Sequence, residues 1–419
     1  MTVTHNRWAV LGALSIFEIF LFGPSVATLG VFFTPLIQEF HWSHAEVSQL
    51  ASSVDVSLGL CSLLAGWLLD RFDVRWVMSA GAAVAGVGFL AASQSHSLPV
   101  MVACYAVIGL GVSMGFMVAI AMIAGNWFPD RTGLAIGIGS FGMAIGLSFS
   151  PRIIAAVVVH AGWRVGMIAA GLPMLLVAVP IALLFLRTRP PAVAVARASV
   201  RSSIKSADCD DIPGLKVRAA LGTLPMWLLI LINFFSQYGL GAVYFHTIPY
   251  LLSVGFPIGI ATLIFGVKGF FFGPGSILWG AAADRFGPRL VIFCGFMLFA
   301  TSVLLLLVAG THRYGLAPLL VYVVLWGMDT GATVAVPALL AQAMGKRSYG
   351  SLNGILTFAA SAGQGVGPLV SGLLIDRTKG YTLAFEFAVI AILISAVLGP
   401  MVRRPKEIAH DNTVSTIVD

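Results

Sequence analysis

Charge is scarce in this sequence. Asp, Glu, Lys and Arg make up 10% of its 419 residues, against 58% hydrophobic. So little polar surface cannot cover a water-soluble globule of this size, which excludes the soluble classes. Cysteine is equally sparse: Cys61, Cys104, Cys209 and Cys294 stand far apart, with neither disulfide nor metal-ligand spacing. No Gly-x4-Gly-Lys-Ser/Thr phosphate loop occurs, so ATP is not expected to drive the protein. Its polar groups are scattered singly, without a metal-ligand cluster or a nucleophile, base and orienter set, so an enzyme, a cofactor and a bound metal are all unsupported. A formal net charge of +7 would suggest nucleic acid in a soluble chain. Here the basic residues sit between apolar runs, where orientation in a bilayer accounts for them.

What is present is a series of apolar stretches, each long enough to cross a hydrocarbon core about 30 Å thick. Bounded by charge, Pro and Gly, they fall at 8–33, 45–69, 75–94, 98–124, 133–159, 163–186, 223–252, 259–283, 290–309, 315–343, 350–375 and 381–402. The first is longer than the apolar core of a signal peptide and lacks a small-residue cleavage site, so it is expected to be a retained helix. The expected fold class is an all-α membrane protein of twelve transmembrane helices. With the N-terminus inside, the loops on that side carry 18 basic residues and those opposite carry 4. That bias places both termini in the cytoplasm, with the cytoplasmic membrane as location. The expected organisation is a six-helix bundle over 1–186, a flexible linker over 187–222 rich in Pro, Ala, Ser and Arg, a second six-helix bundle over 223–402, and a cytoplasmic tail over 403–419.

The two halves repeat each other. Gly66-x3-Asp70-Arg71-x3-Arg75 returns as Gly280-x3-Asp284-Arg285-x3-Arg289, every member offset by 214 residues. Gly133, Gly137, Gly146 and Pro151 return as Gly350, Gly354, Gly363 and Pro368, offset by 217. Duplication followed by one small indel leaves two such registers. Ordinary positive-inside loops would explain the arginines but not the matched glycines and aspartates. At such a loop a glycine admits a neighbouring backbone, an Asp can face another helix's N-terminus, and an Arg can latch it in one conformation and release it in another.

The Gly-x3-Asp-Arg-x3-Arg loop, once per half, resembles the signature of the major facilitator superfamily, and the resemblance runs from about residue 8 to 402. Leu29-Gly30-Val31-Phe32-x2-Pro35-Leu36-x2-Glu39-Phe40-x-Trp42-Ser43, and Asn126-Trp127-Phe128-x2-Arg131-x-Gly133-Leu134-Ala135-x-Gly137, are similar to its monocarboxylate and oxalate/formate branch. The resemblance implies two pseudo-symmetric six-helix bundles rocking around a central site, which the repeat also suggests. It implies a small organic acid as substrate. One departure stands out: the eighth-span place where that branch usually carries an Arg for the substrate carboxylate falls on Ser276.

Ionisable residues deep in a span are functional candidates by default, because a charge at the bilayer centre costs about 2.5–3.5 kcal/mol. Lys268 is the candidate anion site, with a structural ion pair to Asp329 as the alternative. Asp329 shares a helical face with Tyr322, Trp326 and Thr333, and with Asp55 and Glu18 it is a candidate proton carrier. Asp55 lies on a serine stripe with Ser48, Ser52 and Ser62, and each acid can instead be structural. Gln237 and Tyr244 align with Asn233 on the seventh span, and Gln364 aligns with Asn353 and Thr357 on the eleventh; Gln237, Tyr244, Gln364 and Tyr322 are candidate substrate contacts. Arg152 is either an outer anion site or a snorkelling side chain. His246 is expected to be a hydrogen-bonded structural histidine.

The leading functional expectation is a monomeric, proton-coupled symporter of a small organic anion. A proton-coupled drug or metabolite exporter is the alternative, although the antiporter-type Gly-Pro ending of the fifth span is replaced by Ser150-Pro151. A membrane sensor with a transporter fold would need a large cytoplasmic domain or long tail.

Overall fold

The computed structural model describes residues 7–115, 117–128, 132–188, 214–311, 317–329, 335–345 and 348–403. All regular elements among them are helical: α1 (Arg7–Ala27), α2 (Leu29–Phe40), α3 (His44–Arg71), α4 (Val74–Ser93), α5 (Leu98–Gly115), α6 (Met117–Trp127), α7 (Thr132–Pro173), α8 (Val179–Phe185), α9 (Val217–Leu221), α10 (Leu224–Ser253), α11 (Ile258–Phe286), α12 (Pro288–Ala309), α13 (Ala317–Asp329), α14 (Ala335–Met344), α15 (Tyr349–Thr378) and α16 (Thr382–Met401). A π-helical turn, Met174–Ala178, joins α7 to α8. Every stretch expected to span is helical over most of its described residues. Among the described residues, eight helical stretches are long and apolar enough to cross a membrane unaided, and three shorter apolar helices accompany them. The stretch 135–185 among these bends at Gly162, whose φ of 84° only glycine adopts without strain, so it comprises two helices. α3 is not among the eight, because Glu46, Asp55, Asp70, Arg71 and five serines lower its hydropathy; of these, Ser52 and Asp55 bond to α15.

The expected linker is narrower than its composition implied. Residues 217–221 form α9, Ala220 is buried, and Gly214 pairs with Gly345 in a short antiparallel bridge. The linker residues 189–213 lie outside the described residues.

Two apolar cores organise the helices. One gathers residues from Val10 to Leu186 with Phe245, and the other residues from Ala220 to Val402 with Ala27, Val31 and Ala155. The repeated glycines explain how each core closes. A side chain at Gly146 would collide with the Ile19 carbonyl of α1, and one at Gly363 with the Phe234 carbonyl of α10. The duplicated position thus serves the same crossing twice, fifth span on first and eleventh on seventh, where only a missing Cβ lets the backbones meet.

Between the halves, contact is one-sided. Along α3 and α15 the Asp376 carboxylate accepts hydrogen bonds from the backbone N–H groups of His44 (2.9 Å) and Ala45 (2.8 Å) and from His44 Nδ1 (3.1 Å). Farther in, Ser52 Oγ donates to the Gly365 carbonyl (2.5 Å) and Gln364 Nε2 to Asp55 Oδ1 (3.1 Å). His246, fully buried, joins the seam through the Pro368 carbonyl (3.2 Å) and Ser48 Oγ (3.5 Å), as its structural reading required. A second seam runs along α7 and α11, where Ser148 backs onto Gly266 and Gly269, and Phe149 meets Phe270 at 5.7 Å between ring centres. Toward the end carrying Arg71 and Arg285, nothing among the described residues lies within 4 Å of where a Cβ would stand at Gly66, Gly137, Gly280 or Gly354. The close approach expected at Gly66 and Gly280 is therefore not made in this conformation.

Asp376 completes the N-terminus of α3, whose Ser43 and Glu46 already form a capping box. A carboxylate from the other half, bonded to two helix N–H groups, is a charge-assisted latch. Asp376→Ala is expected to shift the balance toward the state open at this end by roughly tenfold, since such bonds contribute about 1.5–3 kcal/mol. Electron-spin distances between labels on Trp42→Cys and Gly380→Cys in a cysteine-free background check it. A distribution unchanged from the parent would remove the latch.

Candidate functional site

Several polar side chains are buried with hydrogen-bonding capacity unused among the described residues. Lys268, on α11, is 8% exposed, and its Nζ has no hydrogen-bond partner among the described residues. It lies instead against three aromatic rings: 3.2 Å from the ring centre of Trp326 on α13, 4.0 Å from Tyr244 on α10 and 4.1 Å from Phe265 one turn earlier on its own helix. The residues at 265 and 268 meet because positions three apart share a helical face. The rings are themselves braced. Trp326 stacks on Phe299 (6.3 Å, 12°) and tilts against Tyr322 (5.2 Å), while the Tyr322 hydroxyl lies 3.2 Å from Thr247 Oγ1.

Five orphaned polar atoms belong to this region or to the helices that build it: Lys268 Nζ, Trp326 Nε1 and the Tyr244 hydroxyl as donors, and Asp55 Oδ2 and Gln237 Oε1 as acceptors. Buried polar groups are normally hydrogen-bonded, so a concentration of unsatisfied ones marks a place made for a guest. Asp55, on α3, is 5% exposed; its Oδ1 accepts from Gln364 across the seam while its Oδ2 is unused. Asp55 is the one expected proton carrier seen to bridge the two halves among the described residues.

The other expected site residues fall differently. Tyr322 lies behind Trp326, as a brace. Glu18 is fully buried in the first half, with both carboxylate oxygens unpartnered among the described residues. Arg152 is exposed beside exposed Phe149 and Ile153, with no ion pair among the described residues; it belongs to the outward face, in line with the snorkelling alternative. Asn233, aligned with Gln237 in the sequence, is occupied by its own helix through the Leu229 carbonyl. The side chains of Ser276, Asp329, Asp70 and Asp284 lie outside the described residues, so neither an ion pair of Lys268 with Asp329 nor a charge contact of the repeated loop is described here. Arg71 covers the Trp67 ring at 4.1 Å, Arg75 approaches Asp73 Oδ1 at 3.9 Å, and Arg285 covers Phe286 at 5.3 Å. Arg289 is exposed.

Phe265 was missed by sequence reasoning, although its three-residue spacing from Lys268 was visible. The His44–Asp376 contact was missed as well, because no pattern links positions 332 residues apart.

Among the described residues no group of His, Cys, Asp and Glu is placed to hold a metal ion. The site is instead a buried cation with aromatic walls, and the carboxylate of Asp55 is buried at the seam between the halves. It is suited to hold an anion reversibly.

A profile described as Major Facilitator Superfamily matches residues 15–275 and 226–416. An uncharacterized MFS-type transporter, YcxA of Bacillus subtilis (strain 168), is 26% identical over 372 residues, covering 88% of each chain. Monocarboxylate transporter 12 of Mus musculus is 25% identical over 411 residues, covering 93% of this chain and 84% of its own. Among solved structures, the D-xylose-proton symporter superposes with a TM-score of 0.71 at 15% identity, covering 93% of this chain and 95% of that one.

Proposed function

The chain belongs to the Major Facilitator Superfamily, and from that premise we propose that it carries a small, monocarboxylate-like organic anion across the cytoplasmic membrane together with protons, by alternating access. Membership makes it a multi-pass membrane transporter and not an enzyme. Twelve crossings, cytoplasmic termini and a monomeric state are part of the proposal. With that orientation the end carrying Arg71 and Arg285 faces the cytoplasm, and the conformation described is inward-open.

The observation that carries the reading is the buried Lys268 ammonium, which has no anionic partner among the described residues. A cation in a low-dielectric site attracts a carboxylate strongly, and this one keeps all three N–H donors for it. The substrate carboxylate docks on Nζ, with Trp326 Nε1–H and the Tyr244 hydroxyl as further donors. Asp55 takes the proton. Once neutral, its carboxyl is a weaker acceptor for Gln364, so loading loosens the seam that must part before the other end opens. The similarity to a protein named monocarboxylate transporter 12 supports the substrate class.

A proton-coupled exporter is the second reading. Glu18, fully buried with both oxygens unused, is the observation that favours it, as an acid able to hold a cation.

Uptake of labelled lactate, oxalate and benzoate into proteoliposomes, with the outside at equal or lower pH, separates the two. We expect at least one acid to enter, and faster from the acidic side. If none is carried, or if a cationic dye accumulates instead, the anion reading falls.

A further inference from the structure

A buried ammonium ordinarily lies beside a carboxylate; Lys268 lies inside three rings. Its Nζ is 3.2–4.1 Å from the centres of Trp326, Tyr244 and Phe265, within the range where the negative face of an aromatic ring attracts a cation. The origin of these rings matters more than their number. Tyr244 is on α10, Phe265 and Lys268 on α11 and Trp326 on α13, so the whole box belongs to one half of the repeat. Phe299, Tyr322 and Thr247, which brace it, belong to the same half. Asp55 comes from the other half, bonded to Gln364 across the seam. When the halves rock, an acid on the far side changes its distance from Lys268. The box does not, because it moves with the lysine.

Resting on the proposed anion site, this bears on the half of the cycle in which nothing is bound. A carrier with a bare cation in its core is costly to reorient and waits for the next anion, which makes it an exchanger. We propose that Tyr244, Phe265 and Trp326 stand in for the substrate anion, stabilising the Lys268 ammonium in the empty carrier so that it returns unloaded and supports net flux. The substrate carboxylate draws Nζ from the ring faces on binding, and the ammonium falls back onto them on release. Phe265 is thus a positioning residue: it offers the substrate no polar group and acts through Lys268.

The test compares two fluxes of one labelled acid in the same proteoliposomes: net uptake into vesicles without internal acid, which needs the empty return, and exchange into vesicles preloaded with the unlabelled acid, which does not. The acid is whichever of lactate, oxalate and benzoate the parent exchanges fastest. Phe265→Leu is expected to lower the ratio of net uptake to exchange about fivefold, the value of one cation–ring contact at the lower end of its range, since two rings remain. Trp326→Phe and Trp326→Leu both lose the indole N–H, so their difference isolates the ring face; Trp326→Leu should show the lower ratio by a similar factor. Both pairs are scored on protein that purifies as a single species, and either pair is sufficient if a variant of the other fails to fold. An unchanged ratio in either pair, with the fluxes falling together or not at all, overturns the stand-in role while leaving the anion site intact. A parent that exchanges none of the acids overturns the anion site, and the stand-in role with it.

Discussion

Lys268→Ala should lower carboxylate uptake by about 100-fold while the protein still folds and inserts. The variant removes the one buried cation the site offers and leaves its rings and donors in place. Hydrogen bonds to a charged group contribute about 1.5–3 kcal/mol, and each 1.4 kcal/mol is tenfold. The upper part of that range applies because the site is enclosed on three sides by Tyr244, Phe265 and Trp326. Folding should not suffer, since Nζ makes no hydrogen bond that the fold depends on. Uptake of the best acid, measured against the parent at matched protein in the vesicles, decides it. Transport within about threefold of the parent would show that Lys268 is structural and the anion is bound elsewhere. Lys268→Arg is a sharper control: a planar guanidinium keeps the charge but needs more room than the ring box provides, so partial loss is expected.

Asp55→Asn should abolish uphill accumulation and spare exchange. The substitution is nearly isosteric, and the Asn carbonyl can still accept from Gln364 Nε2, as Asp55 Oδ1 does at 3.1 Å. The seam therefore keeps its geometry while losing the group that binds and releases a proton. One proton carried per monoanion gives tenfold accumulation per unit of pH difference in the parent, because a pH unit corresponds to about 1.36 kcal/mol. In Asp55→Asn the internal concentration should stop at the external one, with exchange of labelled for unlabelled acid within about threefold of the parent. Accumulation at the parent's level would move the proton to another acid. Glu18, unpartnered and fully buried, is next in line, and the same measurement on Glu18→Gln tests it.

Much of the molecule was legible because a bilayer leaves few options. Backbone groups in hydrocarbon must bond within their own segment, so apolar runs of sufficient length become helices, and the helices stand where the runs were. Duplication left its mark at matched offsets, and Gly146 and Gly363 confirm that mark as a shared crossing of the fifth on the first span and the eleventh on the seventh. α3 shows where composition misleads: by hydropathy it is a poor span, yet its serines and Asp55 are matched by Gly365 and Gln364 on α15. Arg152 shows the converse, a charge within an apolar run that is exposed and has no ion pair among the described residues.

By itself the sequence determined the class, the repeat and the positions of the buried charges, because all three depend on local composition and spacing. Only the tertiary structure decided what those charges meet. That Lys268 lies against rings from two other helices, that Asp55 reaches Gln364 309 residues away and that Asp376 caps α3 from the far half depend on the rotation of each helix about its axis. Lipid is indifferent to that rotation for an apolar helix, so it is set by packing against neighbours distant in the chain, and no local pattern records it.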